Sequence, residues 1–181
     1  MRIVNIFFDS ILPLIKTLVS DIFTGMTPLI FLLGTFAVLY LADRFLLGGK
    51  LGISLTGRIA MAVMLLITGI AHFTLTEEMT AMMPEIMPLK REIVYFTGVC
   101  ELLAVIGLLW SKTAKLTAIV LIIFFVLILP ANIIGTLKSV PIGGMDYGVW
   151  YLLLRIPLQI FFIWWVYYFG IKTLNNPHST G

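Results

Sequence analysis

Charged residues are scarce in this chain of 181 residues, making up only 12% of it, whereas hydrophobic residues make up 60%. An ordinary soluble domain is about a quarter charged and about half apolar. The composition therefore excludes a soluble globular protein. It also excludes an intrinsically disordered chain, which stays unfolded because it has little apolar surface to bury. A lipid bilayer is the environment that remains.

Cysteine is almost absent as well. Cys100 is the single cysteine, which excludes an internal disulfide, a CxxC redox pair and a cysteine-rich metal site. We therefore expect no metal site, and any redox chemistry has to come from a cofactor or a partner. The net charge is +3, but the 12 lysines and arginines are scattered along the chain. Without a basic stripe, binding to nucleic acid is excluded.

Long apolar runs with at most one charge predict five membrane-spanning helices, because a helix needs about 20 apolar residues to cross the hydrocarbon core. These runs cover residues 22–42, 59–76, 93–111, 116–137 and 147–171, of which the third contains Glu101 and the fifth contains Arg155. The last run is rich in tryptophan and tyrosine, which suit membrane interfaces. The sequence thus predicts an all-α, polytopic membrane protein.

The amino-terminal segment differs from the runs that follow it. Arg2, Asp9 and Lys16 interrupt it too often for it to span a membrane, yet its polar and apolar residues fall on opposite helical faces. This pattern predicts an amphipathic helix in the interface over residues 1–21. Asp9 and the lack of a small-residue cleavage motif disfavour a cleaved signal peptide. We further predict an extra transmembrane helix over 22–47, a four-helix domain over 57–171 and a cytoplasmic tail over 172–181.

Loop charges favour an orientation in the cell membrane with the amino terminus outside and the carboxyl terminus inside. The inner segments would hold six basic residues, Arg58 among them, against five in the outer segments. The acidic residues of the loops favour this orientation more clearly, since only Asp43 would lie on the inner side. The longest outer loop, 76–91, is expected to cap the bundle. Its four methionines are expected to form an apolar cover: Met79, Met82, Met83 and Met87.

Five polar residues inside the predicted spans are the candidate site: His72, Glu101, Asn132, Arg155 and Gln159. A charged side chain in hydrocarbon costs about 2.5–3.5 kcal/mol even on the mildest scale, so such residues commonly mark functional sites. A rise of about 1.5 Å per residue places the first four at overlapping depths in the outer half of the bilayer. Gln159 shares a helical face with Arg155, one turn deeper. We predict that the five residues line a ligand pocket.

Each candidate also has a structural explanation. Glu101 and Arg155 would lock the bundle if they formed an ion pair, and His72 would suit the membrane interface. Asn132 and Gln159 each follow a proline and would satisfy the backbone groups that a proline kink leaves free. Three glycines in the spans predict close helix packing rather than ligand contacts: Gly69, Gly98 and Gly107.

Several short motifs, in the same order on successive spans, resemble the DoxX-like integral membrane proteins. On the first two core spans these are Arg58, Gly-Ile-Ala-His-Phe at 69–73, Gly-Val-Cys-Glu at 98–101 and Gly-Leu-Leu at 107–109, with Pro84 and Pro88 in the loop between. The next two spans carry Pro-Ala-Asn-Ile at 130–133 and Leu-Arg-Ile-Pro-Leu-Gln at 154–159. The resemblance covers about residues 58–170, and the first 57 residues depart from the family's usual four-span layout.

The resemblance implies a compact four-helix membrane bundle. It also implies an association with subunits of quinone-linked oxidoreductases, including thiosulfate-oxidising and oxidative-stress complexes, while other members of the family act as assembly factors. From it we expect no intrinsic cofactor, a quinone as the ligand, and a redox or assembly protein as the partner.

Three functions are compatible with these features. The first is a membrane subunit of an oxidoreductase system that binds a quinone or a similar lipid-soluble molecule, with Arg155, His72 and Asn132 donating hydrogen bonds and Glu101 moving protons. Electrons would come from a partner, because a six-coordinate haem needs two axial ligands and His72 is the only histidine in a span. The second is a non-catalytic scaffold or assembly factor. The third is a small-solute carrier, which five spans without an internal repeat do not favour.

Overall fold

The structure, a computed structural model, describes residues 26–138 and 149–175, and every regular element in those ranges is helical. The helices are α1 (Thr27–Phe45), α2 (Gly52–Thr74), the short α3 (Thr76–Ala81), α4 (Lys90–Leu109), α5 (Ala114–Leu137) and α6 (Val149–Tyr167). A π-helical turn (Tyr168–Lys172) and α7 (Thr173–Asn175) continue α6. The predicted interfacial helix over 1–21 lies outside the described residues.

Five of these helical stretches are long and apolar enough to cross a membrane. They are α1, α2, α4, α5 and the stretch Tyr151–Asn175, which joins most of α6 to the π-helical turn and α7. The prediction of an all-α, multi-pass membrane protein is confirmed. The helical stretch also runs through Lys172 into residues that were predicted to belong to the tail.

Arg58 is not at the end of a span, where the loop-charge argument places it. It lies inside α2, which begins at Gly52, and the residue is only 6% exposed. Its Nη1 donates a hydrogen bond of 3.0 Å to the carbonyl oxygen of Leu108, in the last turn of α4. Carbonyls in a last helical turn lack intrahelical partners, and a cation at this end of a helix interacts favourably with the helix dipole. Arg58 therefore joins two helices, and it no longer counts toward the inner-loop charge.

Helices α2 and α4 approach each other closely through glycine. A Cβ atom on Gly98 would lie 2.7 Å from Cβ of His72 and 3.2 Å from the carbonyl oxygen of Gly69. A Cβ atom on Gly107 would lie 2.3 Å from Oγ1 of Thr117, on α5. Side chains cannot fit at such distances without movement of the neighbouring helix. The close-packing role predicted for these glycines is confirmed.

Helix α1 lies on the periphery of the bundle. Leu32 and Asp43 are its only buried residues, and most of its large side chains are exposed. Phe36 attaches it to the far end of the chain, with ring centroids 5.0 Å from Trp165 and 5.4 Å from Phe169. Such a helix has the position expected of one added to a four-helix core.

The turn between α1 and α2 is held by Asp43. One carboxylate oxygen of Asp43 accepts a hydrogen bond from the N–H of Leu51 at 2.9 Å, and the other accepts from Gly52 at 3.2 Å. These N–H groups belong to the start of α2, where the helix itself supplies no acceptors. The buried acidic side chain thus fixes the direction in which α2 leaves the turn.

We expect the substitution Asp43→Ala to destabilise the protein by about 1–2 kcal/mol, because it removes the acceptor for both N–H groups. Thermal unfolding in detergent, followed by circular dichroism, measures this loss. Asp43→Asn is the matched control, since it keeps one acceptor oxygen and should retain part of the stability. An unchanged unfolding temperature for Asp43→Ala would show that this cap does not stabilise α2.

The apolar core and the polar candidates occupy opposite halves of the bundle. The main core surrounds Met61, Leu65, Leu108, Leu121 and Trp165, toward the amino-terminal half of α2. The candidate residues lie beyond it, where α2 and α5 end and α4 and α6 begin. This separation leaves the polar half free to form a site.

Candidate functional site

All five predicted residues line a single cavity of about 340 Å³. Ligand pockets in proteins commonly measure about 300–1,000 Å³, so the volume suits a small organic molecule. His72 comes from α2, Glu101 from α4, Asn132 from α5, and Arg155 and Gln159 from α6. Most of the remaining lining is apolar, and it includes Met64, Phe125 and Ile128. The cavity is thus an apolar chamber with a few polar groups inside the bundle.

One polar group of the cavity is formed by α2 and α4. The hydroxyl of Thr68 donates a hydrogen bond of 2.6 Å to Oε2 of Glu101, whose residue is 4% exposed. His72 Nδ1 lies 2.8 Å from the carbonyl oxygen of Thr68 and 3.9 Å from Glu101 Oε2. Because a carbonyl oxygen only accepts, Nδ1 carries the hydrogen, and Nε2 of a neutral ring is left as an acceptor. We name Thr68, His72 and Glu101 the acceptor group.

A second polar group is formed by α5 and α6. Arg155 Nη2 donates a hydrogen bond of 3.1 Å to Oδ1 of Asn132, which is 5% exposed. Asn132 Nδ2 and Arg155 Nε are buried, and neither has a hydrogen-bond partner. A buried polar atom without a partner costs about 1–3 kcal/mol, and native structures contain few of them. We name Asn132 and Arg155 the donor group, because its unused atoms are all donors.

Two of the structural explanations considered for the candidates disagree with the observed contacts. Glu101 and Arg155 do not form the ion pair considered for them, since no oxygen of Glu101 lies within 4.0 Å of a nitrogen of Arg155. The basic nitrogen within that distance of Glu101 is His72 Nδ1, at 3.9 Å. Asn132 does not bond a backbone group with its side chain, contrary to the proline-kink explanation.

Gln159 does satisfy a backbone group, although the group belongs to the neighbouring helix. Its Nε2 donates a hydrogen bond of 2.9 Å to the carbonyl oxygen of Phe125 on α5. Pro130 has no N–H, so the carbonyl oxygen of Val126, the residue after Phe125, lacks its usual helical partner. Gln159 therefore joins α6 to α5 next to this position while it also lines the cavity.

A cap covers the cavity at the end of the bundle, as the sequence predicts for residues 76–91. Its first part is α3, and Met79, Met82 and Met83 line the cavity. Met82 and Met83 are each 8% exposed, whereas Met87 is 37% exposed and does not line the cavity. Three of the four methionines therefore provide the expected apolar cover.

The cap is attached to three helices by polar contacts. Lys138, at the end of α5, donates a hydrogen bond of 3.1 Å from Nζ to the carbonyl oxygen of Met83. Arg91 on α4 pairs with Glu77, and the hydroxyl of Thr76 donates to the carbonyl oxygen of His72 at 2.8 Å. These contacts hold the methionines over the polar groups.

Several residues that line the cavity are not among the five predicted site residues. Thr97 lies four residues before Glu101, and Thr68 lies four before His72, so the helical period places each on a lining face. Thr27 and Pro28, at the start of α1, also line the cavity. The apolar sequence of α1 contains no signal for this position, which depends on how α1 packs against the bundle.

The fold and the cavity define the class: this is a multi-pass membrane protein with a polar site inside its helical bundle. Residues 61–170 match the family model described as Domain of unknown function (DUF8561), and the chain belongs to this family. The matched range covers more than half of the chain and contains all five predicted site residues, but not α1. No curated protein and no solved structure matches the chain. Within the described residues, no cluster of histidine, cysteine and acidic side chains could hold a metal ion.

Proposed function

We propose that this protein binds a small, lipid-soluble molecule with an oxygen-bearing head group in its cavity, and that it acts as a membrane subunit of a quinone-linked oxidoreductase system. The main support is the donor group, in which Asn132 Nδ2 and Arg155 Nε are buried without partners beside an apolar chamber. A ligand oxygen is the kind of atom that would satisfy such donors. The resemblance to DoxX-like proteins supports the same function.

A quinone head group fits the chemistry of this lining in two respects. One of its carbonyl oxygens can accept the hydrogen bonds that the donor group offers, and its ring and tail suit Met64, Phe125 and Ile128. When bound, a quinone would supply redox chemistry by taking up two electrons and two protons. The electrons would come from a partner protein, because the chain has one cysteine and only one histidine in a span.

Glu101 and His72 give the chain a means of exchanging a proton with the ligand. Both line the cavity, and Thr68 joins them by hydrogen bonds of 2.6 Å and 2.8 Å. His72 also lies next to the cap, because its carbonyl oxygen accepts from Thr76. In this proposal the pair relays protons between the cap end and the ligand.

The same proposal places the cavity in the outer half of the cell membrane, with the amino terminus outside. Its support is the set of acidic residues on the cap side, including Glu77, Glu78 and Glu85. A Glu85→Cys variant in a Cys100→Ser background tests the orientation, because Glu85 is exposed. An impermeant thiol reagent should label this cysteine from outside intact cells. Labelling only after lysis would show that the protein has the opposite orientation.

Binding of a decyl-substituted benzoquinone to the purified protein tests the proposed function. Native mass spectrometry from mild detergent should detect one quinone per chain. Asn132→Leu should lower the affinity about tenfold, because it removes an unpaired buried donor and the acceptor that orients Arg155. Asn175→Leu is the matched control, since Asn175 is exposed and lies outside the cavity.

Two results would contradict the proposal: no bound quinone on the unmodified protein, or equal affinity for both asparagine variants and the unmodified protein. The scaffold alternative makes a different prediction. If the buried polar residues only specify the bundle, Asn132→Leu would change the unfolding temperature without changing ligand occupancy.

A further inference from the structure

We infer that the cavity selects a lipid-soluble ligand whose head group carries both a hydroxyl donor and a carbonyl acceptor, in preference to a head group with carbonyls alone. The inference rests on the proposed function and specifies the chemical class of its ligand. The observation behind it is the division of the polar lining into an acceptor group and a donor group, which come from different helix pairs.

The acceptor group has no free hydrogen to offer a carbonyl when Glu101 is ionised and His72 is neutral. The hydroxyl hydrogen of Thr68 is used on Glu101 Oε2, and the Nδ1 hydrogen of His72 is used on the carbonyl oxygen of Thr68. What remains for a ligand is Glu101 Oε1 and His72 Nε2, and both are acceptors. Arg155, which carries a permanent positive charge, lines the same cavity as Glu101.

The donor group has the opposite chemistry. Arg155 keeps N–H groups beyond the one that bonds Asn132, and Asn132 Nδ2 is unpaired. The nearby Gln159 amide has already donated to the carbonyl oxygen of Phe125. A ligand carbonyl therefore has hydrogen-bond partners on α5 and α6. A ligand hydroxyl at the same place could only accept hydrogen bonds and could not donate its own hydrogen.

No hydrogen bond joins the two groups directly across the cavity in the described part of the chain, and Glu101 and Arg155 are not within 4.0 Å of each other. A ligand that donates to one group and accepts from the other would connect them. A head group with two carbonyls satisfies only the donor group, because its second oxygen would face the acceptors of Glu101 and His72. When a ligand carbonyl faces these buried acceptors, no hydrogen lies between them, so neither side forms a hydrogen bond and the affinity is lower.

Competition between three probes tests this selectivity in the full-length protein. The probes are 4-hydroxyphenyl decyl ketone, its 4-methoxy analogue and decyl benzoquinone, which share a ring and a long chain but differ in hydroxyl and carbonyl groups. Native mass spectrometry of an equimolar mixture at pH 7.5, where the phenol is still mostly neutral, reports the relative occupancies. We expect the hydroxyphenyl ketone to bind about tenfold more tightly than either of the others, because its hydroxyl bonds a carboxylate.

Glu101→Gln tests where the selectivity comes from. A glutamine amide both donates and accepts, so the preference for the hydroxyl should fall to less than about threefold while the methoxy analogue gains affinity. Glu92→Gln is the matched control, since Glu92 is exposed on the same helix and lies outside the cavity. The competition on the unmodified protein needs no variant, so the inference stays testable even if Glu101→Gln fails to fold.

The outcomes separate this inference from the proposed function. If decyl benzoquinone or the methoxy analogue binds as tightly as the hydroxyphenyl ketone, the selectivity inference is wrong and the proposed function stands. If none of the three probes binds, the proposed function fails and the inference fails with it. A preference that survives Glu101→Gln unchanged would also overturn the role assigned to Glu101.

Discussion

Replacing Arg155 with methionine is expected to lower the affinity of the cavity for decyl benzoquinone by about ten- to a hundredfold. Methionine keeps much of the length of the side chain but removes every donor that it offers to a ligand carbonyl. A hydrogen bond to a charged group contributes about 1.5–3 kcal/mol, which corresponds to that range of affinity. The substitution also frees Asn132 Oδ1, which accepts from Arg155 at 3.1 Å. Titration of the quinone into protein in nanodiscs, read by native mass spectrometry, measures the change.

Two other variants show whether this loss is specific to the cavity. Arg44→Met makes the same substitution at an exposed residue of α1 outside the cavity and should leave the affinity unchanged. Arg155→Lys keeps the charge but has fewer and differently placed donors, so it should recover only part of the affinity. Equal binding by Arg155→Met and the unmodified protein would remove Arg155 from the site.

Gly98→Val is expected to have the largest effect on the geometry of the site. A Cβ atom at this position would lie 2.7 Å from Cβ of His72 and 3.2 Å from the backbone oxygen of Gly69, so α2 and α4 must move apart. Overpacking of this kind costs about 1–3 kcal/mol of stability. The same movement would lengthen the hydrogen bond of 2.6 Å between Thr68 and Glu101, which holds the acceptor group together. Thermal unfolding and the probe competition should therefore both change.

Gly34→Val is the matched control for this prediction. Gly34 also lies within a spanning helix, but a Cβ atom there meets nothing within 4 Å. The control should leave the unfolding temperature and the preference for the hydroxyl probe close to those of the unmodified protein. If Gly98→Val unfolds at the same temperature and keeps the same selectivity, the close contact between α2 and α4 does not position the acceptor group.

The spans and the composition of the cavity lining could be predicted because charge is so costly in a membrane. Apolar runs of the required length, with at most one charge each, indicate five helices, and all five have counterparts in the structure. Glu101 and Arg155 stood out as charges where none is expected, and the helical period indicated their faces. The structure places both in one cavity with the other three candidates. Whether that cavity binds a ligand stays a prediction.

Contacts between helices could not be predicted in the same way. The charge pattern places Arg58 at the end of a span, yet Arg58 lies within α2 and donates to a carbonyl of α4. Glu101 and Arg155 suggested an ion pair, but Glu101 bonds Thr68 and Arg155 bonds Asn132. Such pairings depend on the relative rotation and offset of whole helices. A single sequence specifies helical faces much more directly than it specifies these offsets.

The attachment of the cap has a consequence for how binding should be measured. Lys138, Arg91 and Thr76 fasten the methionine cover to three helices at the aqueous end of the cavity. With the cap over that end, we expect a lipid-soluble ligand to reach the cavity from the bilayer. The concentration that drives occupancy is then the mole fraction of ligand among the lipids, not its concentration in buffer. Affinities measured at different lipid-to-protein ratios should agree only when they are expressed in that unit.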